Sequence, residues 1–129
     1  SIKHPMSSLS SLLKESDIVS LHVPLNKETE GMIGEPELRM MKRSAVLINT
    51  SRAQIIQREP LLQAIREGWI MGYGTDVVRD DQEMQDLEKL QKEGFNVVIT
   101  KHCCGHTIEA RQATDNFIYQ KVKKYVEKM

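Results

Sequence analysis

Apolar and polar positions along the 129 residues switch repeatedly between two periods. Four short runs rich in β-branched residues read as strands: Asp17-Ile18-Val19-Ser20-Leu21-His22-Val23-Pro24, Ala45–Asn49, Ile70–Val78 and Asn96–Thr100. Pro24 stops the first by removing a ladder donor, while Gly72 and Gly74 allow close backbone approach in the third. Between the runs the spacing is helical. Ser7 or Ser8 caps a helix with Leu9, Leu12 and Leu13 on one face, running towards Glu15. Pro36 suits the first turn of a second helix through Leu38, Met40 and Met41, and Lys42-Arg43 suit its C-terminal dipole. A third runs from about Glu59 to Glu67 with Leu61, Leu62 and Ile65 inward, and Gly68 ends it. Met84, Leu87 and Leu90 predict a short helix after an acidic loop at Asp80 to Glu83. Thr107 caps a last, long helix to about Lys128, with Ala110, Ala113, Phe117, Val122 and Val126 as its inward stripe.

This strand–helix alternation with short connections predicts an α/β fold: a parallel sheet of about four strands with right-handed crossovers, flanked by helices on both faces. No internal repeat, low-complexity stretch or linker divides the chain, and its length is that of one domain. The 18 basic residues balance 18 acidic ones, which argues against a nucleic-acid or membrane surface. No apolar run approaches the ~20 residues of a membrane span. Cys103 and Cys104 are adjacent, which is no disulfide framework; free thiols and a cytoplasmic setting are expected.

In parallel sheets of this kind ligands bind beyond the carboxyl ends of the strands. Those ends are His22-Val23-Pro24, Asn49–Arg52, Asp76 with its loop, and Thr100-Lys101-His102. Each residue alone has an ordinary reading: Arg52 as a helix cap or the partner of an acid, His102 as a loop histidine, Asp76 as a turn cap, Asp80, Asp81 and Glu83 as a solvated loop. Together they form a coherent set. Hydride transfer to a 2-keto acid needs a cation for the carboxylate, an acid for the carbonyl oxygen and a carboxylate to tune that acid. Arg52, His102 and one acid of the 80–83 segment fill those roles, and Asp76 would orient a nicotinamide carboxamide.

The runs Ser20-Leu21-His22-Val23-Pro24-Leu25, Ile48-Asn49-Thr50-Ser51-Arg52, Gly74-Thr75-Asp76-Val77 and Val98-Ile99-Thr100-Lys101-His102 resemble the successive signatures of the NAD-dependent D-2-hydroxyacid dehydrogenases, in order and spacing. The family includes D-lactate, D-3-phosphoglycerate and glyoxylate/hydroxypyruvate dehydrogenases, and the resemblance covers about Leu9 to Asn116. It implies that Arg52 binds the substrate carboxylate and His102 is the proton donor. It also implies that Val23, Pro24, Thr29, Thr50, Ser51 and Asp76 touch the dinucleotide. The family's histidine-polarising glutamate falls on Asp81, one methylene shorter, so the catalytic set is Arg52, Asp81 and His102.

Several positions depart from that pattern. Lys101 stands where proline commonly precedes the histidine, Cys103-Cys104 where isoleucine and a small residue follow it, and Ala53 and Gln54 replace the usual paired glycines. The Gly72–Val78 run and the helix at Met84–Lys92 lean towards the D-lactate branch. None of the seven glycines forms the phosphate-binding G-x-G-x-x-G turn, which in the family would precede residue 1, as would the ribose-binding acid and nearly all of the substrate domain. Residues 1–129 are therefore expected to be a partial dinucleotide-binding domain, the second half of a Rossmann unit, with very weak NAD binding and no useful turnover alone. The sequence does not decide between NAD and NADP, nor name the 2-hydroxy acid. As a homo-oligomer, or with a missing half-domain as partner, such a half-fold would cover the open edge left at its first strand. The competing reading is a non-enzymatic half-Rossmann module that self-associates or binds a partner chain. A metal site from His4, His22, His102, His106 and the cysteines is disfavoured, because adjacent cysteines lack the C-x-x-C ligand spacing; no metal is expected.

Overall fold

The computed structural model describes residues 8–100, 102, 103 and 107–127. Helix α1 (Leu9–Glu15) is followed by β1 (Ile18–Leu21), α2 (Glu35–Met40), β2 (Val46–Asn49) and a 3-10 turn (Ala53–Ile55). Then come α3 (Arg58–Arg66), β3 (Gly72–Thr75), α4 (Asp81–Lys92), β4 (Val97–Ile99) and α5 (Ile108–Val126). The strands form one parallel sheet in the order β1-β2-β3-β4. The expected elements are all present, with strands shorter than the apolar runs because residues such as Val23 and Val77 lie beyond the ladder and belong to the loops.

Local chemistry accounts for the helix ends. Ser8 accepts a hydrogen bond from the Ser11 amide at the start of α1, Pro36 occupies the first turn of α2, and Gly68 takes a positive φ of 66° after α3. The 80–83 segment is not the solvated acidic loop that its charge suggested. Asp80 is the N-cap of α4, accepting from the Glu83 amide at 2.8 Å, and Asp81 to Glu83 form the first turn. Carboxylates suit that position because the four leading amides of a helix lack intrahelical partners.

Register sorts the sheet into two unlike faces. Val19, Leu47, Tyr73 and Val97 lie side by side and are all buried, packed against Leu13, Leu38, Leu61, Leu87 and Leu90 of the helices. Each such leucine contributes about 2 kcal/mol by leaving water. The neighbouring row, Ser20, Ile48, Gly74 and Val98, faces outward; Val98 is 56% exposed, and Ile18 on the same face is 64% exposed. The expectation of helices on both faces is thus corrected. Strands that follow one another in a single direction through right-handed crossovers place every connecting helix on the same side.

The long helix also differs from expectation. Thr107 caps it, accepting from the Ala110 amide at 3.1 Å, but Phe117 (59%) and Val122 (56%) of the supposed inward stripe are exposed, as is Ala113. The Val126 side chain lies outside the described residues. Phe117, Ile118 and Tyr119 are consecutive and fan around about 200° of the helix, so no single face gathers the apolar groups. No helix among the described residues is long and apolar enough to cross a membrane.

Candidate active site

The carboxyl end of β2 is built around a buried amide. Asn49 has no exposed surface; its Nδ2 donates to the Arg52 carbonyl (2.9 Å) and its Oδ1 accepts from the Ser51 amide (3.0 Å). Ser51 Oγ donates to the Leu21 carbonyl at 2.7 Å, tying this loop to the end of β1. Arg52 therefore projects from a fixed backbone. Its side chain is exposed, donates from Nη1 to the Ser51 carbonyl (2.8 Å), and forms no ion pair among the described residues.

Arg52 and Ser51 line a crevice of about 520 Å³ with His22, Val23, Pro24 and Leu25. The opposite lip is held by Thr29, whose hydroxyl donates to the Pro24 carbonyl (2.6 Å) and accepts from the Asn26 amide (2.9 Å). Ser20 Oγ and His22 Nε2 share a 2.8 Å hydrogen bond at the same end. Two adjacent parallel strands thus present, beyond their last ladder bonds, four of the residues singled out from sequence: Val23, Pro24, Ser51 and Arg52.

A second, smaller cavity of about 310 Å³ lies on the open face of the sheet, with Thr50, Asp76 and Thr100 at its carboxyl end and Val46, Ile48 and Val98 as apolar lining. Tyr73 also borders it; burial pushes its hydroxyl pKa up to about 12, although hydrogen bonding to Thr75 and Asn49 works the other way. Asp76 is 4% exposed, and its Oδ1 accepts from Thr100 Oγ1 (2.5 Å) and from the Cys103 amide (2.9 Å), while its own amide donates to the Asn49 carbonyl (3.2 Å). One carboxylate oxygen therefore joins the end of β3 to the loop that carries His102. His102 sits in that loop, exposed, with φ 50°, the only non-glycine positive φ recorded among the described residues.

The structure brings Arg52 together with Val23, Pro24 and Ser51, and Asp76 with the His102 loop. Asp81 is exposed, at the first position of α4, with no hydrogen bond or ion pair to His102 among the described residues. Lys101, Cys104, His4 and His106 lie outside the described residues. Among those described, Asn49, Thr100 and Arg79 organise the site; the first two were named at the strand ends without a role, and Arg79 was not named. An asparagine closing an apolar strand is a signal that could have been read, since a buried amide must find partners. Thr100 and Arg79 find theirs 23 to 26 residues away, which no local pattern shows.

Comparison with known proteins follows the same lines. A glyoxylate reductase from Thermococcus litoralis is 50% identical over 102 residues, covering 78% of this chain and 30% of that protein. A structure of a D-isomer specific 2-hydroxyacid dehydrogenase from Lactobacillus delbrueckii ssp. bulgaricus, NAD complexed, superposes with a TM-score of 0.70 at 39% identity, covering 78% of this chain and 34% of that one. A D-lactate dehydrogenase from Aquifex aeolicus complexed with NAD and lactic acid gives a TM-score of 0.68 at 35% identity, over 94% of this chain and 40% of that one. The chain spans about 30% of the length of the curated relatives it matches. Residues 1–104 match the family described as D-isomer specific 2-hydroxyacid dehydrogenase, NAD binding domain, and the chain belongs to that family.

Proposed function

We propose that the chain supplies the cofactor-side part of the active site of an oxidoreductase that moves a hydride between NAD(H) and a D-2-hydroxy acid/2-keto acid pair. The observation that carries this reading is the meeting of Arg52, Ser51, Val23 and Pro24 around one crevice at the carboxyl ends of β1 and β2. Its volume is within the range of ligand sites. Val23, Pro24 and Ser51 line the crevice directly, Thr29 fixes Pro24, and Thr50 and Asp76 lie at the end of the neighbouring cavity. These residues fit a dinucleotide lying across the strand ends, and NAD supplies or takes up the hydride when bound.

Arg52 grips the substrate carboxylate, for which a guanidinium offers two parallel donors. His102 passes a proton to or from the substrate oxygen, a role suited to an imidazole, whose ring nitrogens can both donate and accept. Asp81 is the carboxylate assigned to polarise His102. Asp81→Asn is then expected to move the His102 ring signals in an NMR spectrum; unchanged signals remove Asp81 from the site. The relatives that share 50% and 48% identity are glyoxylate reductases, against 28–35% for four D-lactate dehydrogenases, which favours a small 2-keto acid of the glyoxylate type over the D-lactate branch.

The sequence given contains no G-x-G-x-x-G turn, so the pyrophosphate has no helix N-terminus here to sit on. Fluorescence titration of the 129-residue chain with NADH is expected to show binding weaker than millimolar, and micromolar binding would overturn that expectation. Replacement of Arg52 by Gln should abolish any response to glyoxylate. A second reading, a module that associates with itself or a partner chain, is favoured by the open sheet face with Ile18 and Val98 exposed. Sedimentation showing a clean monomer at high concentration would count against it.

A further inference from the structure

Arg79 lies in the loop between β3 and α4, far in sequence from the Arg52 loop, yet its guanidinium reaches it. Nη2 donates to the carbonyls of Ile56 (2.9 Å) and Ala53 (3.3 Å), the residues that bound the 3-10 turn immediately after Arg52. The Arg79 backbone is itself fixed, because its amide donates to Oε2 of Glu83, a carboxylate only 4% exposed on the first turn of α4. Among the described residues Arg79 Nε is buried with no hydrogen-bond partner, so the side chain is held in place by the two carbonyls at the cost of one unmet donor.

The far side of the same turn is also pinned. The Gly31 amide donates to the Gln54 carbonyl (2.8 Å), Ile33 donates to the Ile55 carbonyl (3.1 Å), and Gln57 returns a bond to Ile33 (2.8 Å). The segment 53–56 is thus clamped between residues 31–33 on one side and a single guanidinium on the other. The Ala53 carbonyl accepts both from Arg79 and from the Ile56 amide (3.1 Å), so the Arg79 bond bears on the hydrogen bond that closes the turn.

We propose that Arg79 is a positioning residue for Arg52: by holding the Ala53 and Ile56 carbonyls it fixes the turn from which Arg52 enters the carboxylate crevice. The assignment rests on the reading of Arg52 as the carboxylate clamp, and it adds a device that links the clamp to the start of α4. Two glycines at 53 and 54 would leave that turn freer; Ala53 is buried here and the arginine supplies a further restraint.

The test is NMR on the 129-residue chain, comparing wild type with Arg79→Met and Arg79→Lys. In Arg79→Met the Ile56 amide is expected to exchange at least ~10-fold faster, and the Arg52 amide and Nε–H to gain fast motion, while amides of β1–β2 pairing keep their protection. Arg79→Lys, a point donor that reaches one carbonyl, should restore part of the order. Unchanged exchange at Ile56 and unchanged Arg52 order in a folded Arg79→Met chain would overturn the proposal. If Arg79→Met unfolds, Arg79→Lys decides alone: wild-type exchange and order at Ile56 and Arg52 would refute the need for a forked donor, and partial loosening would support it. Titration with glyoxylate is a separate arm. A wild-type chain whose Arg52 signals ignore glyoxylate sinks the clamp reading, whereas the exchange data still decide whether Arg79 sets the turn.

Discussion

Replacement of Asn49 separates what this residue does for the fold from what it does for the site. Its side chain has no exposed surface and, besides its interaction with the Tyr73 hydroxyl, makes two hydrogen bonds with backbone groups, to the Arg52 carbonyl and from the Ser51 amide. In Asn49→Ala both are lost, at about 1 kcal/mol each, because Ser51 and Arg52 are open enough for water to take over part of the bonding. The void left in the packed interior raises the total to about 2–3 kcal/mol. For a chain of this size that corresponds to a fall in Tm of about 8–12 °C. Asn49→Asp is the sharper variant. It keeps the acceptor for Ser51 but sets a second oxygen against the Arg52 carbonyl, so the buried carboxyl favours its protonated form and its folded pKa rises above the unfolded ~3.9. The folded state then holds the proton more tightly than the unfolded one, and stability falls as pH rises above ~4, by at most about 1.4 kcal/mol per unit, until the folded pKa is passed. Urea denaturation at pH 4 and pH 7 measures this directly. Equal destabilisation of Asn49→Asp at both pH values, or a loss below ~0.5 kcal/mol in Asn49→Ala, would refute the reasoning.

Three further outcomes follow from the geometry. Gly72→Ala places a Cβ 3.1 Å from the Asn96 carbonyl oxygen, which cannot withdraw because it accepts from the Tyr73 amide, so calorimetry should show a loss of about 1–3 kcal/mol. The Arg58 guanidinium hydrogen-bonded to Asp86 holds that carboxyl below its ordinary range; its contribution is present above the unfolded pKa and lost as pH falls through the lower folded one, so Asp86→Asn should flatten the acid limb of a stability-versus-pH curve. Burial raises the Tyr73 pKa to about 12, so the folded chain keeps this proton where the unfolded chain releases it. Stability should therefore fall between pH ~10 and 12, and Tyr73→Phe should remove that part of the decline while an ultraviolet titration shows one fewer late-ionising phenol.

Much of this protein was legible in its residues alone. Periods of two and near 3.6 marked the strands and most helices, because a half-buried strand or helix must place its apolar groups on one side whatever it packs against. Arg52, Ser51, Val23 and Pro24 could be read as neighbours because parallel strands end on a common edge. Tertiary structure decided the rest. Which face of the sheet stays bare depends on the direction in which the strands add, not on any one strand's composition; the apolar outward row at Ile48 and Val98 reads in sequence like a buried one. Among the described residues of α5, Ile108, Phe117, Ile118, Tyr119 and Val122 lie in no single stripe and are exposed, so counting them at helical spacing misled. The fixing of Arg52 by Asn49 and Arg79, and of the His102 loop by Asp76, comes from hydrogen bonds whose partners are mostly far apart in the chain. A sequence states which groups must find partners; only the fold states which ones meet.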